Sequence, residues 1–146
     1  MTETEVKFQV PEGKREAVRR ALRGRDPGGA SVLQLRACYV DTPDRRLAGA
    51  GMALRLRREN RRWVQTLNAR GEGMLSRLEH EVPVKAPAGK LPPALDLNAF
   101  AGTAAETALR TTLGDAAPAL QVIFTTDVRR TLRLVRSGRS IIEVAF

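Results

Sequence analysis

The chain has 146 residues, of which 42% are hydrophobic and 28% charged, so it is long enough to form one globular domain with a sizeable core. It contains no run of about 18 apolar residues, which excludes a membrane-spanning helix. The N-terminus, MTETEVKFQV, lacks the apolar stretch of a secretory signal. The single cysteine, Cys38, excludes an internal disulfide, and one cysteine with one histidine argues against a structural zinc site. We therefore expect a cytoplasmic protein.

The charge is strongly basic. Lysine and arginine together number 25 against 16 acidic residues, which gives a net charge of +9. This excess favours a polyanionic partner such as nucleic acid, an anionic membrane surface or a phosphate-rich small molecule. Arginine-rich composition also arises from a GC-rich genome, so charge alone selects no function. Aromatic residues make up only 4%, which disfavours single-strand nucleic-acid binding because that mode depends on stacking.

The N-terminal half alternates between apolar and polar residues, which is typical of strands. Residues 3–10 (ETEVKFQV) predict the first strand. A helix is expected to begin at Pro11-Glu12 and to end near Gly24. Residues 31–40 predict a second strand, which the turn signal DTPD closes. Residues 52–58 and 62–68 predict a hairpin pair of strands.

The C-terminal half continues the pattern of strands with one helix. The alternating segment SRLEHEVPV, residues 76–84, predicts a fifth strand, and the Pro- and Ala-rich residues 86–100 predict a connection. A helix over residues 103–113 is ended by Gly114, and two more strands are predicted over about 121–136 and 140–146. Seven strands and two helices indicate an antiparallel α+β fold, with the sheet closed into a barrel or strongly curved.

The chain stops inside a strand pattern at Phe146, with no turn or polar tail after it. We therefore expect one domain over residues 1–146 that is shortened at its C-terminus.

Charges of both signs share one face in several predicted strands. These residues are Glu3, Glu5, Lys7, Arg55, Arg57, Arg77, Glu79 and Glu81. One interpretation is a solvent-exposed face with cross-strand ion pairs, each of which contributes roughly 0–1 kcal/mol. The other is the lumen of a barrel, where basic side chains bind a polyphosphate and glutamates bind hard divalent cations.

The order of several short motifs resembles the CYTH superfamily, the triphosphate tunnel metalloenzymes. The segment Glu3-Thr-Glu5-Val-Lys7 is similar to the ExExK signature of that family. Further similar segments follow in the family's order: Tyr39-Val-Asp41-Thr42-Pro43 with Leu47, the LRxR strand containing Arg55 and Arg57, Trp63-Val-Gln-Thr66-Leu, Glu79-x-Glu81, and Phe124-Thr-Thr-Asp127-Val-Arg-Arg130. The resemblance covers nearly the whole chain, and it is greatest to the bacterial inorganic triphosphatases.

The resemblance implies an eight-stranded antiparallel tunnel that hydrolyses inorganic triphosphate with Mg²⁺ or Mn²⁺. It implies phosphate binding by a basic set, Lys7, Arg55, Arg57 and Arg130, and metal binding by an acidic set, Glu3, Glu5, Glu79, Glu81 and Glu143. Glu5, Lys7 and Arg57 would carry catalysis. Metal-bound water would attack the terminal phosphorus while the arginines stabilise charge on the non-bridging oxygens.

Two departures from the family pattern keep other functions open. Asn68 stands where the family usually has a lysine, and the last strand with its paired glutamates has no counterpart in this sequence. These departures favour a polyphosphate-binding module without turnover as an alternative, and an adenylyl cyclase or thiamine triphosphatase is a further one. We expect no specific nucleic acid and no membrane as partners. A second copy along the open barrel edge and a helical CHAD domain in the parent protein are expected instead.

Four further residues are interpreted as structural. His80 lies opposite the charged face, which indicates an outer-surface or packing role, and Cys38 is interpreted as inert packing. Tyr39 and Trp63 could stack on a nucleobase, but core or rim packing is the favoured interpretation.

Overall fold

The computed structural model describes residues 6–25, 28–70, 77–86 and 92–146, with the side chain of Arg77 left out. Two compact units are distinguished, and β1 and β5 run through both. The larger unit contains the described residues of Leu35–Asp127, and the smaller unit contains those of Glu3–Gln34 with Val128–Phe146.

Within the described ranges, six strands form one sheet in the order β4-β3-β2-β1-β5-β6. Antiparallel pairing joins β1 to β2, β2 to β3, β3 to β4 and β5 to β6. The antiparallel α+β class expected from the sequence is thereby confirmed. The strands are β1 (Ser31–Asp41), β2 (Met52–Glu59), β3 (Arg62–Arg70), β4 (Arg77–Val84), β5 (Gln121–Ser137) and β6 (Ser140–Ala145).

Three α-helices accompany the sheet: α1 (Arg15–Arg23), α2 (Arg46–Gly49) and α3 (Ala104–Leu113). Short 3₁₀ turns occupy Glu12–Lys14, Leu97–Phe100 and Gly114–Ala119. The start of α3 is capped reciprocally. The Thr103 hydroxyl accepts a hydrogen bond from the Glu106 amide, and the Glu106 carboxylate accepts one of 2.7 Å from the Gly102 amide. Gly114, with a φ of 50°, ends the helix as predicted.

The core of the larger unit lies on one face of the sheet, against α3. Strands β2 and β3 contribute Met52, Leu54 and Leu67, while the helices and turns contribute Leu47, Phe100, Ala105, Leu109 and Leu113. Because successive strand residues point to opposite faces, burial of Leu54 and Leu67 directs their neighbours Arg55 and Thr66 to the other face. Packing of the apolar face therefore determines which side chains the charged face presents.

The buried carboxylate of Asp41 connects the end of β1 to α2. One of its oxygens accepts hydrogen bonds from the amides of Thr42 (2.8 Å) and Leu47 (2.9 Å), and the other accepts from Ala48 (3.1 Å). The Thr42 hydroxyl accepts from the Arg46 amide at 3.0 Å. These bonds satisfy the free amides at the start of α2 and hold Leu47 in the core. The DTP segment thus has a structural role in this fold.

The smaller unit contains α1, β6 and the second part of β5. Arg19 and Arg23 of α1 each lie 3.8 Å from Glu16, and the Arg19 guanidinium lies 5.9 Å from the centre of the Phe146 ring. In the β5–β6 hairpin, Leu134 lies opposite Glu143.

The prediction of a strand over residues 3–10 is wrong for its described part, residues 6–10, which form no strand; residues 1–5 lie outside the described part of the chain. Val6 and Phe8, the apolar side of the alternation, are exposed rather than packed. Without burial of that side, alternation alone does not hold a segment in a sheet. The sequence also did not predict α2 or the turn Leu97–Phe100, which lies within the predicted connection.

None of the helices among the described residues is long and apolar enough to cross a membrane. This agrees with the absence of a long apolar run in the sequence.

Phe100 should be a large contributor to stability because it is fully buried in the core. We expect Phe100→Ala to lower the free energy of unfolding by about 3–5 kcal/mol in denaturant titrations, since the substitution leaves a cavity. Phe8→Ala is the matched control, because the Phe8 side chain is 84% exposed. Equal effects of the two substitutions would contradict the placement of this core.

The Glu106 carboxylate should make stability depend on pH. The hydrogen bond from the Gly102 amide, assisted by the nearby Arg110, lowers the pKa of Glu106 below its ordinary value. A lowered pKa means that the ionised carboxylate stabilises the fold at neutral pH and that this contribution is lost as the pH falls through the folded-state value. We expect Glu106→Gln to lower Tm at neutral pH and to match the wild type in acid. A difference in Tm that stays constant into acid would contradict this account.

Candidate functional site

The charged face of the larger unit is built by cross-strand rows on β2, β3 and β4. Arg55 lies opposite Thr66, which in turn lies opposite Glu81. In the adjacent row, Asn68 lies between Ala53 and Glu79. Directly opposed residues of antiparallel strands point to the same face. The register therefore agrees with the expectation that Arg55, Arg57, Glu79 and Glu81 share a face. Their binding roles stay predictions.

Ion pairs link the arginines to the glutamates. One terminal nitrogen of Arg55, Nη2, lies 3.3 Å from Glu79 Oε1 and 3.9 Å from Glu81 Oε1. Arg57 Nη2 lies 3.2 Å from the same oxygen of Glu81. The buried Thr66 hydroxyl also donates to that oxygen, at 3.3 Å. Glu81 is therefore the central carboxylate between the two arginines.

Both arginines are mostly buried, with side-chain exposures of 16% for Arg55 and 14% for Arg57. Among the described residues, neither Nε–H group has a hydrogen-bond acceptor, although both nitrogens are buried. A buried donor without a partner costs about 1–3 kcal/mol, and more on a charged group. A guanidinium offers Nε and Nη together to a planar pair of oxygens, so the unsatisfied Nε–H groups fit an oxyanion.

Glu59 is a member of this site that the sequence analysis missed. Its Oε1 is in short contact with Arg57 Nη2, and its Oε2 lies 3.6 Å from Arg62 Nη2. The alternation of β2 indicated this residue, because Glu59 follows Arg55 and Arg57 on the same face of that strand. We define the Arg–Glu cluster as Arg55, Arg57, Glu59, Glu79 and Glu81.

Three other predicted site residues belong to the smaller unit. Lys7 is exposed in the irregular segment before α1, and Arg130 is half-buried on β5. Glu143 is exposed on β6, where its opposite residue is the apolar Leu134. Glu3 and Glu5 lie outside the described residues.

Aromatic side chains lie beside the cluster. Tyr39 on β1 is directly opposite Arg55, and its ring stacks on Phe124 with the ring centres 4.5 Å apart. Trp63 is buried in the core. The His80 ring packs edge-on against the Phe100 ring, with the ring centres 5.7 Å apart. The packing role expected for His80 is confirmed. Cys38 is a half-buried free thiol.

The acidic residues of the cluster suit a hard divalent cation. The part of the chain that the structure describes contains no group of three or more His, Cys, Asp or Glu side chains arranged to hold a metal. Mg²⁺, however, is commonly bound by one or two carboxylates together with substrate phosphates and water. Glu79 and Glu81, which both approach Arg55 Nη2, provide such a carboxylate pair.

Comparisons with known proteins place the chain in one family. The model of the CYTH domain matches residues 1–146. Among solved structures, the chain is similar to HpAC1 from Hippeastrum, which is described as a candidate adenylyl cyclase with a dominant triphosphatase activity. The TM-score is 0.59 at 16% sequence identity, and the match covers 93% of this chain and 68% of HpAC1. A protein from Bacillus halodurans described as a candidate adenylate cyclase gives a TM-score of 0.55 at 16% identity, over 93% and 67%. At this identity the structural likeness shows the fold.

Thr66 should contribute to the stability of the cluster, because its buried hydroxyl donates to Glu81. We expect Thr66→Val, which keeps the side-chain shape, to lower the free energy of unfolding by about 1 kcal/mol. Thr107→Val, at an exposed position of α3, is the matched control and should change it by less than about 0.5 kcal/mol. An unchanged or more stable Thr66→Val protein in denaturant titrations would contradict a role for this hydrogen bond.

Proposed function

The chain belongs to the CYTH family, and from this premise we propose that it hydrolyses inorganic triphosphate with Mg²⁺ or Mn²⁺. The proposal is supported by the activity described for HpAC1, a structural neighbour with a dominant triphosphatase activity. It is carried by one observation on this chain, the pair of mostly buried arginines whose Nε–H groups lack an acceptor in the part of the chain that the structure describes.

Arg55 and Arg57 would bind the non-bridging oxygens of the triphosphate. Their guanidinium planes form paired hydrogen bonds with phosphate, and such bonds strengthen where water is excluded. Arg57, which is as buried as Arg55, is proposed as the arginine that would stabilise the charge developing on the terminal phosphate during hydrolysis. Lys7 and Arg130 are proposed as additional phosphate-binding residues, with Lys7 also taking part in catalysis.

Glu79 and Glu81 would hold the divalent cation, and Glu3, Glu5 and Glu143 are proposed as further acidic residues for metal binding, Glu5 also serving catalysis. The cation, when bound, supplies Lewis-acid activation of phosphate and of water. Thr66 would position Glu81 through its hydrogen bond. These roles assign the anion to the arginines and the cation to the glutamates of the same face.

A nucleoside triphosphate is the second candidate substrate. The stacked pair Tyr39 and Phe124 lies beside Arg55, and Phe124 is 49% exposed, so it offers a ring surface next to a proposed phosphate-binding residue. Both structural neighbours are described as candidate cyclases, which agrees with a substrate that carries a base. Asn68, which provides no charge, favours binding without turnover as a third outcome.

Removal of Arg57 should test the proposal most directly. We expect Arg57→Ala to reduce phosphate release from tripolyphosphate in Mg²⁺ by about 10²-fold, because it removes a donor to the developing charge. Arg58→Ala is the matched control, since Arg58 is the next residue on β2 and points to the opposite face. Its activity should stay close to that of the wild type.

The same assay separates the alternatives. Equal activity of Arg57→Ala and Arg58→Ala would contradict the assignment of the charged face, and hydrolysis that persists in EDTA would contradict the role of the cation. Faster turnover of ATP than of tripolyphosphate would favour the nucleotide. Tight binding of tripolyphosphate without phosphate release would identify a binding module.

A further inference from the structure

The Arg–Glu cluster as defined contains more carboxylates than arginines, and the arginine at its edge, Arg62, is 69% exposed and 3.6 Å from Glu59. Its two arginines face three glutamates, and every glutamate is within 4 Å of an arginine: Glu59 and Glu81 of Arg57, and Glu79 and Glu81 of Arg55. One terminal nitrogen of each arginine, Nη2, is thus already engaged by acidic groups of the protein. An incoming phosphate must compete with these internal anions.

We propose that Glu59 and Asn68 make triphosphate binding at this site conditional on a divalent cation. This inference rests on the proposed function and adds two residues to it. Glu59 acts as an internal counter-anion that occupies Arg57. Asn68 has a neutral amide and cannot pair with Glu79, whose ion pair among the described side chains is with Arg55.

Glu59 is well placed to compete for Arg57. It is the last residue of β2 and pairs with Arg62, the first residue of β3, across the tight turn at Asn60 and Arg61. Its second oxygen lies 3.6 Å from Arg62 Nη2, and its side chain is only 26% exposed. A carboxylate on the same strand as Arg57 loses no translational freedom when it pairs with that arginine, so it competes more effectively than an anion from solution.

The residue at position 68 determines whether Glu79 has a cationic side chain directly opposite it on β3. The two residues are directly opposite each other, which brings their Cβ atoms to about 5 Å. A lysine at position 68 could therefore pair with Glu79, whereas an asparagine cannot offset its charge. With Asn68, one terminal nitrogen of Arg55 lies within 4 Å of both Glu79 and Glu81.

A divalent cation resolves this competition. Glu79 and Glu81 would hold the cation, and its two positive charges would offset the carboxylates of the whole cluster, including Glu59. The arginines would then be free to bind phosphate oxygens. Binding of the cation and binding of the triphosphate should therefore strengthen each other by the same factor, as linkage requires. Removing one glutamate charge, or adding a lysine opposite Glu79, should replace part of the effect of the cation.

The test is titration calorimetry with tripolyphosphate, in EDTA and in saturating Mg²⁺. We expect Glu59→Gln and Asn68→Lys each to tighten tripolyphosphate binding in EDTA by roughly fivefold, the effect of one ion pair at a partly exposed site. In Mg²⁺ their affinities should rise by less. For each variant, the ratio of the dissociation constant in EDTA to that in Mg²⁺ should therefore be smaller than for the wild type. This ratio is not altered by a uniform loss of folded protein, and Tm measurements verify folding.

Matched controls change the same charges away from the cluster. Asp115→Asn removes one negative charge and Asn98→Lys adds one positive charge at exposed positions of the larger unit. The inference predicts that neither changes the ratio of dissociation constants. If Asp115→Asn changes the ratio as much as Glu59→Gln does, and Asn98→Lys as much as Asn68→Lys, net charge explains the effect and the inference is overturned.

The experiment also separates this inference from the proposed function. If the wild type binds tripolyphosphate in Mg²⁺ and Arg57→Ala weakens that binding, the result supports the proposed triphosphate site on the charged face. Unchanged ratios in Glu59→Gln and Asn68→Lys would then overturn the cation-dependence inference alone. Absence of tripolyphosphate binding by the wild type in Mg²⁺ would overturn both.

Discussion

The register of β2, β3 and β4 is the constraint on which the candidate site depends. Leu54 and Leu67 are buried against the core that contains α3, and a shift of one residue would move both to the opposite face. That shift would cost several kcal/mol in lost apolar burial. The hydrophobic packing of one face therefore positions Arg55 and Thr66 on the other, where exposed ion pairs alone would be too weak to hold them.

The cluster that results is only partly satisfied by the protein. The Nη2 atoms of Arg55 and Arg57 contact carboxylates, while their Nε–H groups lack acceptors among the described residues. Native structures leave few buried polar groups unsatisfied, so each one calls for an explanation, and here a bound ligand would complete the set. The combination of a preformed cationic pair with surrounding glutamates gives one face affinity for both an anion and a hard cation, which is the chemical basis of the proposed function.

The alternation of residues predicted much of this arrangement. It predicted the six strands from β1 to β6, the helix α3 with its end at Gly114, and the common face of Arg55, Arg57, Glu79 and Glu81. The prediction failed at residues 6–10, because the pattern describes which side chains share a face but not whether a neighbour buries them. It also missed α2, since that short helix depends on the hydrogen bonds of Asp41 rather than on its own periodicity.

By itself the sequence determined the fold class, the family resemblance and the side of each strand that carries charge, because these depend on local periodicity and motif order. Only the tertiary structure decided which carboxylate contacts which arginine, since those contacts depend on the register between strands distant along the chain. It places Glu81 between Arg55 and Arg57 and sets Asn68 opposite Glu79. Contacts between strands arise from packing, and no spacing within a single strand specifies them. Glu59 differs, because it follows Arg57 by two residues on β2 and the alternation places both on one face.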